Sequence, residues 1–308
     1  MFRGRRNPII AELRCRPALP RPMPRRRASP ARPAIAMYEQ YYGLHEKPFG
    51  LLPDPSFIYW SKVHSMAYTM LEYGVIANAG FTVITGGIGC GKTTLIRHLL
   101  TQLLDHVTVG LLSNTRIKEG ELLRWVMMAL DQPYDQPTAM AVFQEFQKFL
   151  IGQYAQNRRT ILIVDEAQNL SVTTLEELRM LSNINADKDQ LLQVILVGQP
   201  ELREVLQGPE LVQFVQRISS DFHLSALEPA EIFEYVRYRV QLAGGTPDLF
   251  SRQACKLVAD VSGGIPRIIN IYCDTALVYA FSTGARYVSS SIMAHVIADK
   301  KKYGLSVK

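Results

Sequence analysis

Residues 81–93 are Phe-Thr-Val-Ile-Thr-Gly-Gly-Ile-Gly-Cys-Gly-Lys-Thr, and no other part of the sequence says as much about the fold. Its first part is the apolar and β-branched run of a short buried strand, and a helical pattern follows the glycines. A strand, a glycine-rich turn and a helix in direct succession are the context that the phosphate-binding pattern GxxxxGK[ST] requires. The alternative, an accidental glycine-rich turn, does not explain why both flanks are correct. We therefore expect an α/β protein whose loop binds the phosphates of a nucleotide.

The composition of the loop follows from this chemistry. Glycines let backbone N–H groups curl around phosphate oxygens without clashes from Cβ atoms, and the helix N-terminus adds positive potential. Lys92 would reach the β- and γ-phosphates, and the Thr93 hydroxyl would bind Mg²⁺. The predicted nucleotide-binding set is the loop and the next threonine: Gly86, Gly87, Ile88, Gly89, Cys90, Gly91, Lys92, Thr93 and Thr94.

A second apolar strand, residues 160–164, ends in Asp165 and Glu166. Ligands of open parallel sheets bind at the carboxyl ends of the strands, so these carboxylates are expected near the phosphates. Asp165 would hold Mg²⁺, and Glu166 would polarise the attacking water as a general base. An apolar run followed by Asp-Glu is common by itself, but behind the glycine-rich loop it predicts the catalytic half of an ATP-hydrolysing site.

A third polar strand end follows residues 191–197, where the chain continues Gly-Gln-Pro-Glu. Gln199 is therefore a candidate to contact the γ-phosphate or to orient water. The alternative is a loop glutamine that bonds its own backbone.

The remaining pattern gives the domain organisation. Strand-like and helical runs alternate up to about residue 224, which predicts a parallel sheet flanked by helices, and only helical runs follow. We expect an α/β core over residues 37–225, a small all-helical domain over 226–300 and a tail over 301–308. The aromatic and proline-rich stretch 38–58 is expected to pack onto the core. The strands are predicted at residues 81–85, 107–112, 160–164 and 191–197. The helices are predicted at residues 64–77, 92–104, 119–130, 138–154, 172–184, 251–261, 267–280 and 290–298, and a further helix is predicted to begin at Pro229.

Charge is distributed unevenly along the chain. Residues 1–36 hold ten Arg and seven Pro with a single Glu, whereas residues 37–308 carry 24 basic and 27 acidic side chains, a net charge of −3. Residues 37–308 therefore carry no excess of positive charge that would indicate binding to nucleic acid. We expect residues 1–36 to be disordered. They are interpreted either as a dispensable extension before Met37 or as a basic arm for nucleic acid or anionic lipid.

Hydropathy and cysteine usage indicate the compartment. No segment reaches the roughly 18 apolar residues that a membrane crossing needs, and the longest runs are as short as a strand. The four cysteines show no CxxC spacing, which argues against disulfides or zinc and for a reducing, cytoplasmic environment. Cys90 lies next to a predicted helix N-terminus, which lowers a thiol pKa and could make this cysteine redox-sensitive, but we expect it to be a small residue that fills the loop.

Several motifs together resemble the ExeA-like ATPases of the AAA+ class, which include general secretion pathway protein A and ATPases of pilus and exopolysaccharide loci. The resemblance covers nearly all of residues 37–308. Beside the glycine-rich loop it rests on Met-Tyr-Glu at 37–39, Pro-Phe-Gly-Leu-Leu-Pro-Asp-Pro at 48–55, Val-Asp-Glu-Ala-Gln-Asn-Leu at 164–170, Leu-Val-Gly-Gln-Pro-Glu-Leu at 196–202, Gln-Arg-Ile at 216–218 and Gly-Gly-Ile-Pro-Arg-Ile-Ile-Asn at 263–270.

This resemblance implies an AAA+ core followed by a helical lid, and it adds roles for three residues. Gln199 resembles the sensor 1 position, Arg217 the arginine finger and Arg267 the sensor 2 residue of the lid. A guanidinium suits the two arginine roles because its fixed fork of donors neutralises charge on a transferring phosphoryl group. The alternatives are a surface arginine on an amphipathic helix for Arg217 and an ordinary helix-start residue for Arg267.

The resemblance further implies an Mg²⁺-dependent ATPase that forms a homo-oligomer and supports assembly of an envelope secretion, pilus or exopolysaccharide system. Secretion-type members continue into a transmembrane segment and a peptidoglycan-binding domain. This sequence ends at Lys308, so we expect a cytoplasmic ATPase that acts through a protein partner, which could recruit it to the inner membrane.

Two further functions stay open from the sequence. One is a DNA-acting regulator similar to the TniB-type transposition ATPases; the acidic body and the few residues after the last helix argue against it. The other is a scaffold that binds ATP with little turnover, against which the intact Glu166 argues.

Overall fold

The computed structural model describes residues 37–103, 107–113, 117–186 and 189–304. The expected disorder of residues 1–36 falls outside this range, as do Cys15 and the last four residues. The described residues from Met37 onward form one compact unit.

The centre of the molecule is a parallel sheet, as predicted. Its strand order is β2-β3-β6-β1-β7, with every neighbouring pair parallel. The strands are β1 (Phe81–Gly86), β2 (Val107–Leu112), β3 (Arg159–Val164), β6 (Leu192–Gly198) and β7 (Ile218–Leu224), and a short antiparallel hairpin of β4 (Asn185–Ala186) and β5 (Asp189–Gln190) lies apart from them.

Both faces of the sheet are covered by helices. Alternate residues of β3 belong to two separate hydrophobic clusters: Leu162 and Val164 pack with helices on one face, and Ile161 and Ile163 with helices on the other. This burial on both sides explains why the central strands are continuous apolar runs. The helices of this region are α2 (Lys62–Ile76), α3 (Lys92–Gln102), α4 (Leu122–Ala129), α5 (Ala139–Ala155), α6 (Val172–Leu181), α7 (Glu201–Leu206) and α8 (Val212–Val215), and a short α1 (Glu39–Tyr42) precedes them.

A helical region follows β7, again as predicted. It contains α9 (Pro229–Leu242), α10 (Arg252–Ser262), α11 (Pro266–Ser282) and α12 (Ser290–Tyr303).

Several helices of the chain begin with a serine or threonine whose side chain accepts an N–H from the first turn, which satisfies one of the otherwise unpaired donors there. Those residues are Ser61, Thr138, Ser171, Ser251 and Ser289. Among the described residues, no helix is both long and apolar enough to cross a membrane.

Part of the stretch 38–58 contacts the α/β core as expected, since Nη1 of Arg97 on α3 donates to the carbonyl oxygen of Pro53 at 2.9 Å, but its aromatic rings pack elsewhere. Tyr38, Phe49 and Phe57 are buried in the hydrophobic cluster of the C-terminal helices. The Tyr41 hydroxyl also donates to the carbonyl oxygen of Gly284, just beyond α11. The physical reason is that the small C-terminal helices bury these rings in their own core, and a pattern local to residues 38–58 cannot reveal that partner.

Strand β7 was also missed. Its sequence Ile-Ser-Ser-Asp-Phe-His-Leu buries mainly Ser220 and Leu224, because β7 lies at the edge of the sheet and one side of it remains exposed. Polar residues on the exposed side hide such a strand from a search for apolar runs.

Candidate nucleotide-binding site

The phosphate loop connects β1 to α3 in the conformation that its glycines allow. Gly89 and Gly91 have φ values of +80° and +103°, which L-residues rarely adopt. A Cβ atom on Gly89 would also lie 2.5 Å from the Cβ atom of Arg267, so this glycine permits a close approach between the loop and α11.

Lys92 is the first residue of α3 and is only 6% exposed. Its Nζ donates to the carbonyl oxygens of Gly86 at 2.7 Å and Gly87 at 3.1 Å. Burial lowers the pKa of Lys92, while the nearby charge of Glu166 acts in the opposite direction. The loop thus presents a buried amine at a helix N-terminus, an arrangement that favours an anionic ligand.

Asp165 directly follows β3 and lies near the Thr93 side chain at the start of α3. Burial raises the pKa of the Asp165 carboxyl, and a hydrogen bond from the Glu166 N–H to its Oδ1, at 2.9 Å, opposes that shift. A hydroxyl and a carboxylate are hard oxygen donors of the kind that Mg²⁺ binds, and Mg²⁺ usually takes only one or two protein ligands beside phosphates and water. The residues present therefore fit Mg²⁺, although the described residues contain no cluster of three or more His, Cys, Asp or Glu side chains.

Glu166 lies at the same strand end, in a left-handed backbone conformation with φ of +55°. Its Oε2 accepts hydrogen bonds from Nε2 of Gln168 at 2.6 Å and Nε2 of Gln199 at 3.1 Å. Burial by itself would raise the pKa of the Glu166 carboxyl, but these two amides and the charge of Lys92 lower it below its ordinary value. The carboxylate form is thereby favoured, and Gln199 lies beside it because β3 and β6 are neighbours in the sheet.

One pocket contains most of the predicted residues. The C-terminal helices and the segment Gly50–Asp54 form its other walls. Arg267 lines this pocket, and its backbone N–H donates to the carbonyl oxygen of Gly89 at 3.2 Å. The predicted residues along the pocket are Ile88, Gly89, Gly91, Lys92, Thr93, Thr94, Glu166 and Arg267.

Arg217 lies elsewhere. It immediately precedes β7, whose first residue, Ile218, pairs with Phe81 at the start of β1, whereas the phosphate loop follows Gly86 at the other end. Six strand residues separate the two ends by about 20 Å at the usual rise per residue. Arg217 is half-buried and is not among the residues that line the pocket.

Sequence reasoning missed two residues beside the loop. His64 on α2 is buried, and its Nε2 lies 3.0 Å from the carbonyl oxygen of Cys90 while its Nδ1 lies 2.8 Å from Oγ of Ser61. Burial lowers the pKa of His64, so the neutral ring is favoured. Arg239 on α9 lines the pocket, and its Nε donates to the carbonyl oxygen of Pro48 at 2.6 Å. Neither residue belongs to a local motif, so only the packing of distant elements reveals them.

The redox interpretation of Cys90 is wrong. The side chain is 3% exposed, and burial raises the pKa of its thiol, although Lys92 and a backbone hydrogen bond act in the opposite direction. Desolvation therefore outweighs the helix N-terminus on which the sequence argument relied. Cys90 fills space beneath the loop, as expected.

Comparison with known proteins gives the site a context. Residues 76–206 match the family model described as an AAA domain. The chain is 39% identical over 253 residues to general secretion pathway protein A of Aeromonas hydrophila, an alignment that covers 82% of this chain and 46% of that protein. The chain therefore spans less than half the length of this relative.

Solved structures share the fold at much lower identity. Cdc6p from Pyrobaculum aerophilum matches with a TM-score of 0.61 at 15% identity, over 83% of this chain and 73% of that one. The ADP form of ORC2 from Aeropyrum pernix matches with a TM-score of 0.56 at 18% identity, over 83% and 76% of the two chains. Drosophila ORC bound to DNA matches with a TM-score of 0.59 at 18% identity, over 92% and 71%.

The family match, the relative and the shared fold confirm the resemblance indicated by the sequence motifs: the chain is ExeA-like and of the AAA+ class, with a P-loop AAA domain followed by a helical region.

Proposed function

We propose that this protein is an Mg²⁺-dependent ATPase that acts as a homo-oligomer in the assembly of an envelope secretion, pilus or exopolysaccharide system. The observation that carries the proposal is the single pocket in which Lys92, Glu166 and Arg267 converge from the phosphate loop, the sheet edge and the C-terminal helices.

Binding begins at the loop. The amine of Lys92 and the N–H groups at the start of α3 would bind the β- and γ-phosphates of ATP. Thr93 and Asp165, which lie near each other, would hold Mg²⁺. The metal, when bound, neutralises charge on the phosphate oxygens.

Hydrolysis needs a base and an oriented water. Glu166 would accept the proton of the attacking water, since its carboxylate form is favoured and it lines the phosphate pocket. Gln199, whose side-chain amide touches Glu166, would donate to the γ-phosphate or to that water. Both side chains lie at the carboxyl ends of adjacent strands, where ligands of parallel sheets bind.

The two arginines would act from different chains. Arg267 lines the pocket of its own chain from α11 and would compensate phosphate charge there. Arg217 lies at the opposite end of β7, so it would complete the site of a neighbouring copy rather than its own.

We propose residues 37–225 as the ATPase core and 226–300 as the lid, with the stretch around Tyr38 and Phe49 packed against the lid helices.

The cellular process is proposed from the named relative. The alignment with general secretion pathway protein A covers 82% of this chain but only 46% of the relative. A cytoplasmic ATPase that a partner recruits to the inner membrane fits this similarity. The solved structures that share the fold, including Drosophila ORC bound to DNA, are at most 18% identical and support the fold alone, so we propose no second function.

The purified full chain provides the test. It should hydrolyse ATP only with Mg²⁺, Lys92→Ala should lose ATP binding, and Glu166→Gln should keep binding while turnover falls by about 10²-fold or more. Persistent hydrolysis by Glu166→Gln would remove Glu166 from the role of base. The cellular process can be tested by deleting the gene in the host and measuring secretion, piliation and exopolysaccharide production. The process that fails should be restored by the wild-type gene but not by Lys92→Ala.

A further inference from the structure

Gln168 joins two residues to which the proposed function gives roles. Its Nε2 donates to Oε2 of Glu166 at 2.6 Å. Its Oε1 accepts the backbone N–H of Gln199 at 3.0 Å. One amide side chain therefore bridges the end of β3 and the end of β6.

These two partners allow only one orientation of the amide. If its oxygen and nitrogen were exchanged, an oxygen would face the Glu166 carboxylate at 2.6 Å and a nitrogen donor would face the Gln199 N–H. Glutamine supplies the donor and the acceptor together, whereas glutamate lacks the donor and methionine, of similar length, lacks both.

The neighbouring backbone leaves room for this bridge. A Cβ atom on Gly198 would lie 3.1 Å from Oε1 of Gln168 and 2.7 Å from Cδ2 of Leu202. Glycine at position 198 thus allows the Gln168 amide to reach the N–H of the next residue.

We propose that Gln168 is a positioning residue that clamps the Glu166 carboxylate to the strand end carrying Gln199. The Gln199 side chain has two alternative acceptors in the proposed reaction: Oε2 of Glu166, which it contacts at 3.1 Å, and an oxygen of the γ-phosphate. When its amide turns to the phosphate, Glu166 loses one donor. Gln168 still hydrogen-bonds to the Glu166 carboxylate and to the Gln199 backbone N–H. The base therefore stays in place when ATP occupies the pocket and the Gln199 side chain leaves Glu166.

This inference rests on the proposed function, because it takes Glu166 as the base and Gln199 as the group that contacts phosphate. Its test therefore combines activity with a measurement that needs no activity, namely hydrogen exchange of the Gln199 backbone amide in the full chain.

Gln168→Met removes both hydrogen bonds at nearly constant length. We expect kcat for ATP hydrolysis to fall about tenfold or more, as for a lost bond to a charged group, with KM within about twofold of wild type. The Gln199 amide should exchange about fivefold faster or more. Gln168→Glu keeps an acceptor for that N–H and places a like charge beside Glu166, so its kcat should fall at least as far while its Gln199 exchange stays closer to wild type.

Gln153→Met is the matched control. It removes an amide whose oxygen accepts from the Thr108 hydroxyl at 2.8 Å, between α5 and β2, and it should leave kcat and Gln199 exchange unchanged. Normal kcat in Gln168→Met, alongside an active wild type and an inactive Glu166→Gln, would overturn the clamp and leave the proposed function standing. A raised KM with unchanged kcat would also overturn it. If the wild type does not hydrolyse ATP, the proposed function fails, and unchanged Gln199 exchange in Gln168→Met would still refute the clamp.

Discussion

The backbone N–H of Arg267 donates a hydrogen bond to the carbonyl oxygen of Gly89 at 3.2 Å. This bond joins the first turn of α11 to the middle of the phosphate loop. The approach is close enough that a Cβ on Gly89 would lie 2.5 Å from that of Arg267. The loop and the helical region are therefore in direct contact, and a change in the loop has to affect the position of α11.

Gly89→Ala tests this contact. The added methyl group meets the Arg267 Cβ, and the left-handed backbone at φ +80° disfavours any L-residue, so the loop or α11 has to shift. We expect ATP affinity, measured by titration calorimetry with Mg²⁺, to fall by about tenfold or more.

Gly152→Ala is the control for that substitution. Gly152 lies within α5, and a Cβ there meets no atom within 4 Å. Its ATP affinity should equal wild type, and its stability should hold or rise, since alanine favours helix over glycine. Wild-type affinity in Gly89→Ala would mean that the contact between the loop and α11 does not matter for binding.

How far the sequence could predict the site depends on how local each signal is. The phosphate loop, Asp165 and Glu166 were predictable because their residues are contiguous and flanked by buried strands. The contact between Glu166 and Gln199 was not predicted, because it depends on β3 and β6 being neighbours in the sheet. Likewise, His64 and Arg239 reach the loop and the pocket through the packing of α2 and α9, and no run of residues encodes that packing.

The errors have the same cause. The redox alternative for Cys90 considered only the adjacent helix N-terminus, whereas burial among hydrophobic side chains raises the pKa of the thiol. The second partner of the 38–58 stretch was missed because its rings are buried by helices some 200 residues away. Strand β7 was missed because an edge position leaves half of its side chains polar.

Cys90 should be unreactive in the folded protein. Its thiol is 3% exposed and its pKa is raised by burial, so a maleimide at pH 7 should label it slowly. Peptide mapping by mass spectrometry should show rapid labelling of Cys90 only after unfolding in denaturant. Comparable labelling of native and unfolded protein would restore the redox interpretation.

Phe49 should be a main source of stability for the helical region. It is 1% exposed and contacts Phe250 edge to face, with ring centroids 5.5 Å apart. Phe49→Ala should lower the free energy of unfolding by about 3–5 kcal/mol, because it removes a large buried ring and leaves a cavity. Leu52→Ala provides the contrast, since Leu52 is 86% exposed and its loss should change stability by less than about 0.5 kcal/mol. Urea unfolding of both variants decides whether the segment belongs to this core.

Arg217 lies far from the phosphate loop of its own chain, because Ile218 pairs with Phe81 at the opposite end of the sheet. In the proposed homo-oligomer its guanidinium would serve the site of a neighbouring chain. Arg217→Ala should therefore bind ATP almost normally but hydrolyse it about 10³-fold more slowly or worse, as for other arginine fingers supplied in trans. Mixing two inactive variants sharpens the test: Lys92→Ala spoils only the site of its own chain, and Arg217→Ala spoils only the site of its neighbour. Mixed oligomers then contain some junctions with both groups intact, and partial recovery of ATPase activity is expected. If native mass spectrometry shows mixed oligomers that remain inactive, or if the wild type hydrolyses ATP at full rate as a monomer, the shared site is wrong and Arg217 is an ordinary surface residue.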